Sequence, residues 1–220
     1  MKVFIGVGHG GADSGAVANG VKEKDLNLAI AKACRDELVR HGVEVKMSRS
    51  TDENDPLSEE IKECNAYAPD LAVEIHNNAG GGDGAEVFHH HGGGKGKTLA
   101  ENILAEIVKV GQNSRGAKIR KNSQGKDYYG FIRETSAPAV IVECAFVDNA
   151  SDLKILASES QKKSMGEAIA KGVLKTLGVA IQSESRYYKV QVGAYLYREN
   201  AEDMQKKIKA VGFDAFIVRE

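Results

Sequence analysis

The apolar positions of this chain follow two periods that alternate along its length. Lys2–Val7 is a short apolar run opening onto glycines, as expected of a buried strand that enters a loop. Leu26, Ala29, Ile30, Ala33, Leu38 and Val39 then recur at helical spacing, and Gly42 follows as a stop. Val43–Met47 reads as a strand, and Asp55-Pro56 as a helix start, with Asp capping and Pro in the first turn. A further apolar strand, Leu71–Ile75, ends at His76. Ala85–Phe88 suits another strand, and Leu99–Val110 an amphipathic helix. Ala139–Val142 is a strand ending at Glu143, and Asp152–Leu177 holds one or two helices with Met165, Ile169, Val173, Leu174 and Leu177 on one stripe. Strands alternating with helices predict an α/β layered fold with a largely parallel sheet.

The pattern changes near Val179. Ala180–Arg186 reads as a linker between a domain over 1–179 and a small βαβ module over 187–220. In that module Tyr187–Ala194 alternates like a strand, Asn200–Ala210 is helical, and Phe213–Val218 is a second strand. A unit this small buries too little surface to stand comfortably alone.

Charge changes the picture by exclusion. The 220 residues carry 30 Lys plus Arg against 31 Asp plus Glu, so no global field points to nucleic acid or an anionic membrane. No apolar stretch approaches the roughly 18–20 residues that span a bilayer. The N-terminus lacks an apolar core followed by a small-residue cleavage site, so no signal peptide is expected in this sequence. Cys34, Cys64 and Cys144 show no CxxC spacing, which argues against a disulfide framework or a Cys-type zinc cluster. Cys34 and Cys64 sit in helical patterns as small buried filler.

The candidate chemistry gathers at strand ends and adjoining loops, where open α/β sheets place their sites. His9 in Gly-His-Gly-Gly, Glu23 before the first helix, and His76 in Glu-Ile-His-Asn-Asn offer two imidazoles and a carboxylate, a common ligand set for catalytic zinc. Glu143 in Ile-Val-Glu-Cys is a separate carboxylate of the kind a metal hydrolase needs as general base. Gly6–Gly11 formally contains GxGxxG, but a dinucleotide loop needs a helix opening at its third glycine, and Gly11–Lys24 is a long loop instead. His89, His90 and His91 alternate across a strand, so at most two face one site, and a solvated strand end or substrate rim is the simpler expectation. Cys144 raises a cysteine-hydrolase alternative. Adjacent strand residues point to opposite faces, so Cys144 and Glu143 cannot both face the site.

Several spaced motifs carry a resemblance. They include Gly8-His9-Gly10-Gly11, Glu23-Lys-Asp-Leu-Asn-Leu, Ser48-Arg49-Ser-Thr-Asp52, Asp70-Leu-Ala-Val-Glu-Ile-His76-Asn-Asn78, Gly84-Ala-Glu86-Val, Arg115-Gly116, Ile132-Arg133 and Pro138-Ala-Val-Ile-Val-Glu143-Cys-Ala-Phe146. In this order, over about 1–178, they resemble the zinc-dependent N-acetylmuramoyl-L-alanine amidases of the amidase-3 type. The resemblance implies a six-stranded, largely parallel mixed sheet flanked by helices. It implies one zinc on His9, Glu23 and His76, with Glu143 as the catalytic carboxylate. It also implies peptidoglycan as substrate, cut between N-acetylmuramic acid and L-alanine, by an enzyme made in the cytoplasm that reaches the wall after release or export. Glu60 departs from the Arg common in relatives, and Glu74 from the Ser of the usual Ser-Ile-His. The tail resembles the first half of a SPOR-type repeat, which implies a wall-binding role; the lone half suggests pairing across a homodimer. A zinc peptidase acting within the stem peptide, and a non-catalytic wall-binding or regulatory protein, are the alternatives.

Overall fold

The computed structural model describes residues 1–182 and 191–218, and the chain divides into two compact units, Met1–Gln182 and Ser183–Glu220. The first unit runs β1 (Lys2–Val7), β2 (Val17–Ala18), β3 (Val21–Lys22), α1 (Glu23–Arg40), β4 (Glu44–Met47), α2 (Leu57–Tyr67), β5 (Leu71–Asn78) and β6 (Ala85–His89). It continues with α3 (Gly94–Lys109), β7 (Ser114–Lys118), α4 (Gly130–Glu134), β8 (Ala139–Phe146), α5 (Ala150–Ile155) and α6 (Glu159–Leu177). Six strands form one sheet in the order β4-β1-β5-β8-β6-β7, parallel at every neighbour except the antiparallel β6–β8 pair. This is the mixed sheet that the motif order implied.

Strand alternation sorts the sheet into two faces. Val3, Ile5 and Val7 of β1, Leu71, Val73 and Ile75 of β5, and Val140, Val142 and Cys144 of β8 join the larger core with α1, α3 and α6. Phe4, Ala72, Ala139 and Ile141 look the other way, into a smaller core with Ile61 and Cys64 of α2 and Phe131 and Ile132 of α4. The short α2 and α4 cover only part of this second face. The uncovered part, beyond the C-terminal ends of β1, β5 and β8, is where a site can open.

The local signals that start and stop helices mostly act as expected. Ser158 and Gln161 form a capping box at α6, and Gly178, at φ 74°, ends it in the left-handed region. Asp55 departs from expectation. Pro56 takes the N-cap position of α2 with no side-chain cap, and Asp55 instead turns into the cleft described below. α1 begins at Glu23, ahead of the apolar stripe, because its first turn buries the polar Glu23 and Lys24. β7 escapes periodicity because Ser-Arg-Gly-Ala-Lys is a polar edge strand.

In the second unit α7 (Arg198–Ala210) covers the expected helix. The flanking residues 191–197 and 211–218 carry no strand; the expected strand over Tyr187–Ala194 begins outside the described residues. A strand without a neighbour has nothing to pair its backbone groups. Val192, Leu196, Phe213 and Phe216 stay exposed, Leu196 at 90%. No described helix is long and apolar enough to cross a membrane.

Candidate metal centre and cleft

The second face of the sheet carries three rows toward its open end: Phe4–Gly6–Gly8, Ala72–Glu74–His76 and Ala139–Ile141–Glu143. Register places Gly6 beside Glu74 and His76 beside Glu143. Gly8 is needed where it stands, since a Cβ there would lie 2.2 Å from the His76 ring. The next residue, His9, adopts φ 61°, an uncommon conformation outside glycine. Arg49, 2% exposed, holds this turn by donating to the carbonyls of Val7 at 3.1 Å, Gly8 at 3.3 Å, Lys24 at 2.9 Å and Thr51 at 3.0 Å. Arg49 therefore locks the His9 loop to the start of α1. Arg49→Ala should lower stability by on the order of 3 kcal/mol, since charge-assisted bonds to buried carbonyls are lost together. Denaturant unfolding reads this; an unchanged midpoint would show that the loop holds itself.

His9, Glu23 and His76 meet. Glu23 Oε2 lies 3.2 Å from His9 Nε2, and its Oε1 lies 3.0 Å from His76 Nδ1. One ligand atom from each residue falls within 4.8 Å of the other two. The opposite nitrogen of each ring rests on a second carboxylate, His9 Nδ1 on Asp13 at 2.8 Å and His76 Nε2 on Glu74 at 3.3 Å. Such outer carboxylates orient metal-binding histidines and fix their tautomer. Glu23 also accepts from the backbone N–H of Ala16 at 2.9 Å and Asn77 at 3.1 Å, so its position is set by three chain segments.

The electrostatics are those of a carboxylate between two imidazoles. Burial alone would raise the Glu23 carboxyl, but hydrogen bonds from His76 and His9 hold it far below the usual range. The hydrogen bond to Glu23 raises His9. Burial opposes the rise at His76, where Glu23 and Glu74 together push it well up. Two nitrogens and an anionic oxygen converging on one point suit a borderline divalent ion such as zinc.

Glu143 faces the same space from β8. Burial pushes its carboxyl up to about 7, and its Oε2 is buried with no hydrogen-bond partner. It opens onto a cleft of about 510 Å³ that also touches His9, His76, Tyr129 and Phe131. Cys144 lies on the opposite face, fully buried in the larger core, and burial raises its thiol well above the ordinary value. A buried, protonated thiol is no nucleophile, which removes the cysteine-hydrolase alternative. The β2–β3 hairpin fills the segment between Gly11 and α1, and Glu23 occupies the helix start, which leaves the nucleotide-loop alternative without its anion site.

The histidine run behaves differently from a continuing strand. β6 ends at His89, which is buried, and the chain turns so that His90 and His91 both reach Asp127. Asp127 Oδ2 lies 3.0 Å from His90 Nε2 and 2.7 Å from His91 Nδ1. His90 Nδ1 accepts from the Gly92 N–H at 3.0 Å, so in the neutral ring Nε2 carries the proton that goes to Asp127. That makes His90 a donor here rather than a ligand, and the cluster an anchor for the loop leading to Tyr128 and Tyr129. Asp127→Ala should cost about 1–3 kcal/mol by releasing that anchor. Thermal unfolding checks it, and equal stability would reduce the cluster to surface decoration.

The four candidate residues thus come together, while Asp13, Glu74 and Arg49 were missed as site residues. Glu74 had a signal, since residues i and i+2 of a strand share a face and Glu74 precedes His76 by two. The partners of Asp13 and Arg49 are set by loop folding and carry no local signature.

Comparison with known proteins identifies the family. The Amidase_3 family, described as N-acetylmuramoyl-L-alanine amidase, matches residues 3–175. The SPOR domain family matches residues 137–219, overlapping the end of the first match. The chain is 35% identical to N-acetylmuramoyl-L-alanine amidase CwlM of Bacillus licheniformis over 221 residues, covering 99% of this chain and 85% of that one. Among solved structures, Cwp6 from Clostridium difficile superposes with a TM-score of 0.79 at 38% identity, over 80% of this chain and 29% of that longer one. N-acetylmuramoyl-L-alanine amidase AmiC2 of Nostoc punctiforme gives 0.73 at 31% identity, over 81% and 97%. With the family match spanning most of its length, the chain belongs to the N-acetylmuramoyl-L-alanine amidase family.

Proposed function

We propose that this protein hydrolyses the amide between N-acetylmuramic acid and L-alanine in peptidoglycan, with zinc held by His9, Glu23 and His76 and with Glu143 as general base and acid. The family supplies the bond, and the observation that carries the hydrolytic role is Glu143, a buried carboxyl with an unpartnered oxygen and a pKa of about 7, in the cleft beside the three ligands. Bound zinc would supply Lewis-acid chemistry to a carbonyl and to water there. Glu143 removes a proton from the attacking water as the new C–O bond forms at the amide carbon. It then delivers that proton to the amide nitrogen as the C–N bond breaks and L-alanine leaves as an amine. Asp13 and Glu74 hold the imidazoles in orientation, and Tyr129 and Phe131 wall the cleft.

Cell walls incubated with the purified protein test this. New L-alanine amino termini that vanish with chelator and return with zinc are the expected result. New amino termini within the stem peptide would mean a peptidase, and no release at all would mean a binding protein.

The chain boundary is proposed near 180–186, with residues 187–220 as a wall-binding or dimerising module. The division into units after Gln182 supports the boundary, and the SPOR match with the exposed Leu196, Phe213 and Phe216 supports the module. Two tails pairing across a homodimer would cover those side chains. Light scattering should give twice the chain mass at working concentration; a monomer there would leave wall binding as the tail's role.

A further inference from the structure

The cleft carries two acids, Asp55 and Glu60, that neither the metal centre nor the general base accounts for. Asp55 and Glu60 line it together with Glu74, whose Oε1 rests on His76 Nε2, and no Lys or Arg is among the lining residues. Glu60 comes from α2 and lies flat against Gly6 of β1, where a Cβ would stand 1.9 Å from its Oε1. It is 3% exposed, and that Oε1 has no hydrogen-bond partner. The Oδ2 of Asp55 is likewise buried and unpartnered. Burial beside Glu74 and Asp55 pushes the Glu60 carboxyl well up. Buried polar atoms are normally satisfied, so two bare carboxyl oxygens in one cleft mark the place of a missing donor.

We infer that Asp55, Glu60 and Glu74 form a second subsite of the cleft, which binds a protonated primary amine of the substrate. An ammonium group brings three N–H donors and a positive charge to a wall lined by no Lys or Arg. A carboxylate would be repelled there, and a neutral hydroxyl would leave the charge uncompensated. A closed metal cage fits less well. Among the described residues only the His9 and His90 groups bring three ligand atoms within 4.8 Å, and these acids are not among them. The inference rests on the proposed peptidoglycan substrate, whose amines come from two sources, the diamino acid of the stem peptide and an amino sugar that has lost its acetyl group.

The test reads binding rather than turnover. Zinc-loaded Glu143→Gln protein is titrated calorimetrically with muropeptide fragments whose amines are all free, acetylated on the diamino acid only, or acetylated on the sugar only. One acetylation should weaken binding about tenfold or more, as expected when a charge-assisted contact is lost, and the arm that does so names the source. Adding Glu60→Gln or Asp55→Asn should erase the difference; the less buried Asp55 serves if the Glu60 variant fails to fold. Equal affinity for all three fragments, discrimination that survives both variants, or failure of every fragment to bind would overturn the subsite. Wild-type protein that frees no L-alanine amino termini would instead defeat the amidase assignment, without altering which fragment binds.

Discussion

Glu143→Gln is expected to lower kcat by about 10²- to 10⁴-fold, the usual contribution of a positioned acid–base group. Zinc content should stay at the wild-type level. The reason is spatial. Glu143 pairs in register with His76 across β5 and β8, so its carboxyl stands beside the ligand set without belonging to it. Gln keeps the shape and can donate a hydrogen bond, but it cannot take a proton from water. Burial has brought the carboxyl to about 7, so at neutral pH it both accepts and returns a proton readily. Steady-state kinetics on soluble muropeptides, with metal content measured on the same samples, decides the matter. A variant that cuts at the wild-type rate would remove Glu143 from the mechanism, and one that loses zinc would make it a ligand or a support.

The second large effect concerns the metal and its pH dependence. In the metal-free protein, hydrogen bonds to Glu23 raise His9. Burial opposes the rise at His76, but Glu23 and Glu74 outweigh it. A folded-state pKa above the unfolded value near 6.5 stabilises fully below that value and loses its contribution as pH rises through the folded one. The metal-free protein should therefore weaken as pH climbs through and above neutrality. Metal binding needs both imidazoles neutral and so displaces protons, which makes it stronger over the same range. Zinc at about 100 times its Kd adds about 2.7 kcal/mol, or several degrees in Tm for a chain of this size. At one fixed zinc concentration the increment should grow from about pH 6 to about pH 8, where fewer protons are displaced and Kd is lower. Thermal unfolding with and without zinc at the two values is sufficient, and an increment that shrinks with pH would contradict the ligand set. Glu23→Ala should abolish the increment at both, because it removes the carboxylate that both rings share.

Much of this protein was legible before folding, and the pattern of what was not is informative. β1, β5 and β8 are apolar runs, and their ends announced His9, His76 and Glu143, because a buried parallel strand leaves little choice of residue until it emerges at the site. α1, α3 and α6 were visible as stripes for the same reason. β7 and α4 were not, one being a polar edge and the other five residues long. His90 and His91 looked like opposite faces of a strand, yet they share Asp127 because β6 stops one residue earlier.

The sequence by itself determined the order of the apolar strands and the longer helices, the face each apolar residue prefers, and the motif spacing that marks the family. These are local properties, set by side-chain period and by glycines that permit close approach. Only the tertiary structure decided how each carboxylate is buried and partnered. Motif spacing singled out Glu23 and Glu143, but Asp13, Glu60 and Glu74 are chemically like them, and no motif shows which would be buried unmet or against which ring each would rest. Their burial and partners come from segments far apart in sequence. Glu23 is pulled down by two imidazoles, Glu143 is pushed up by an apolar sheet face, and Glu60 is left over Gly6 with an oxygen unmet.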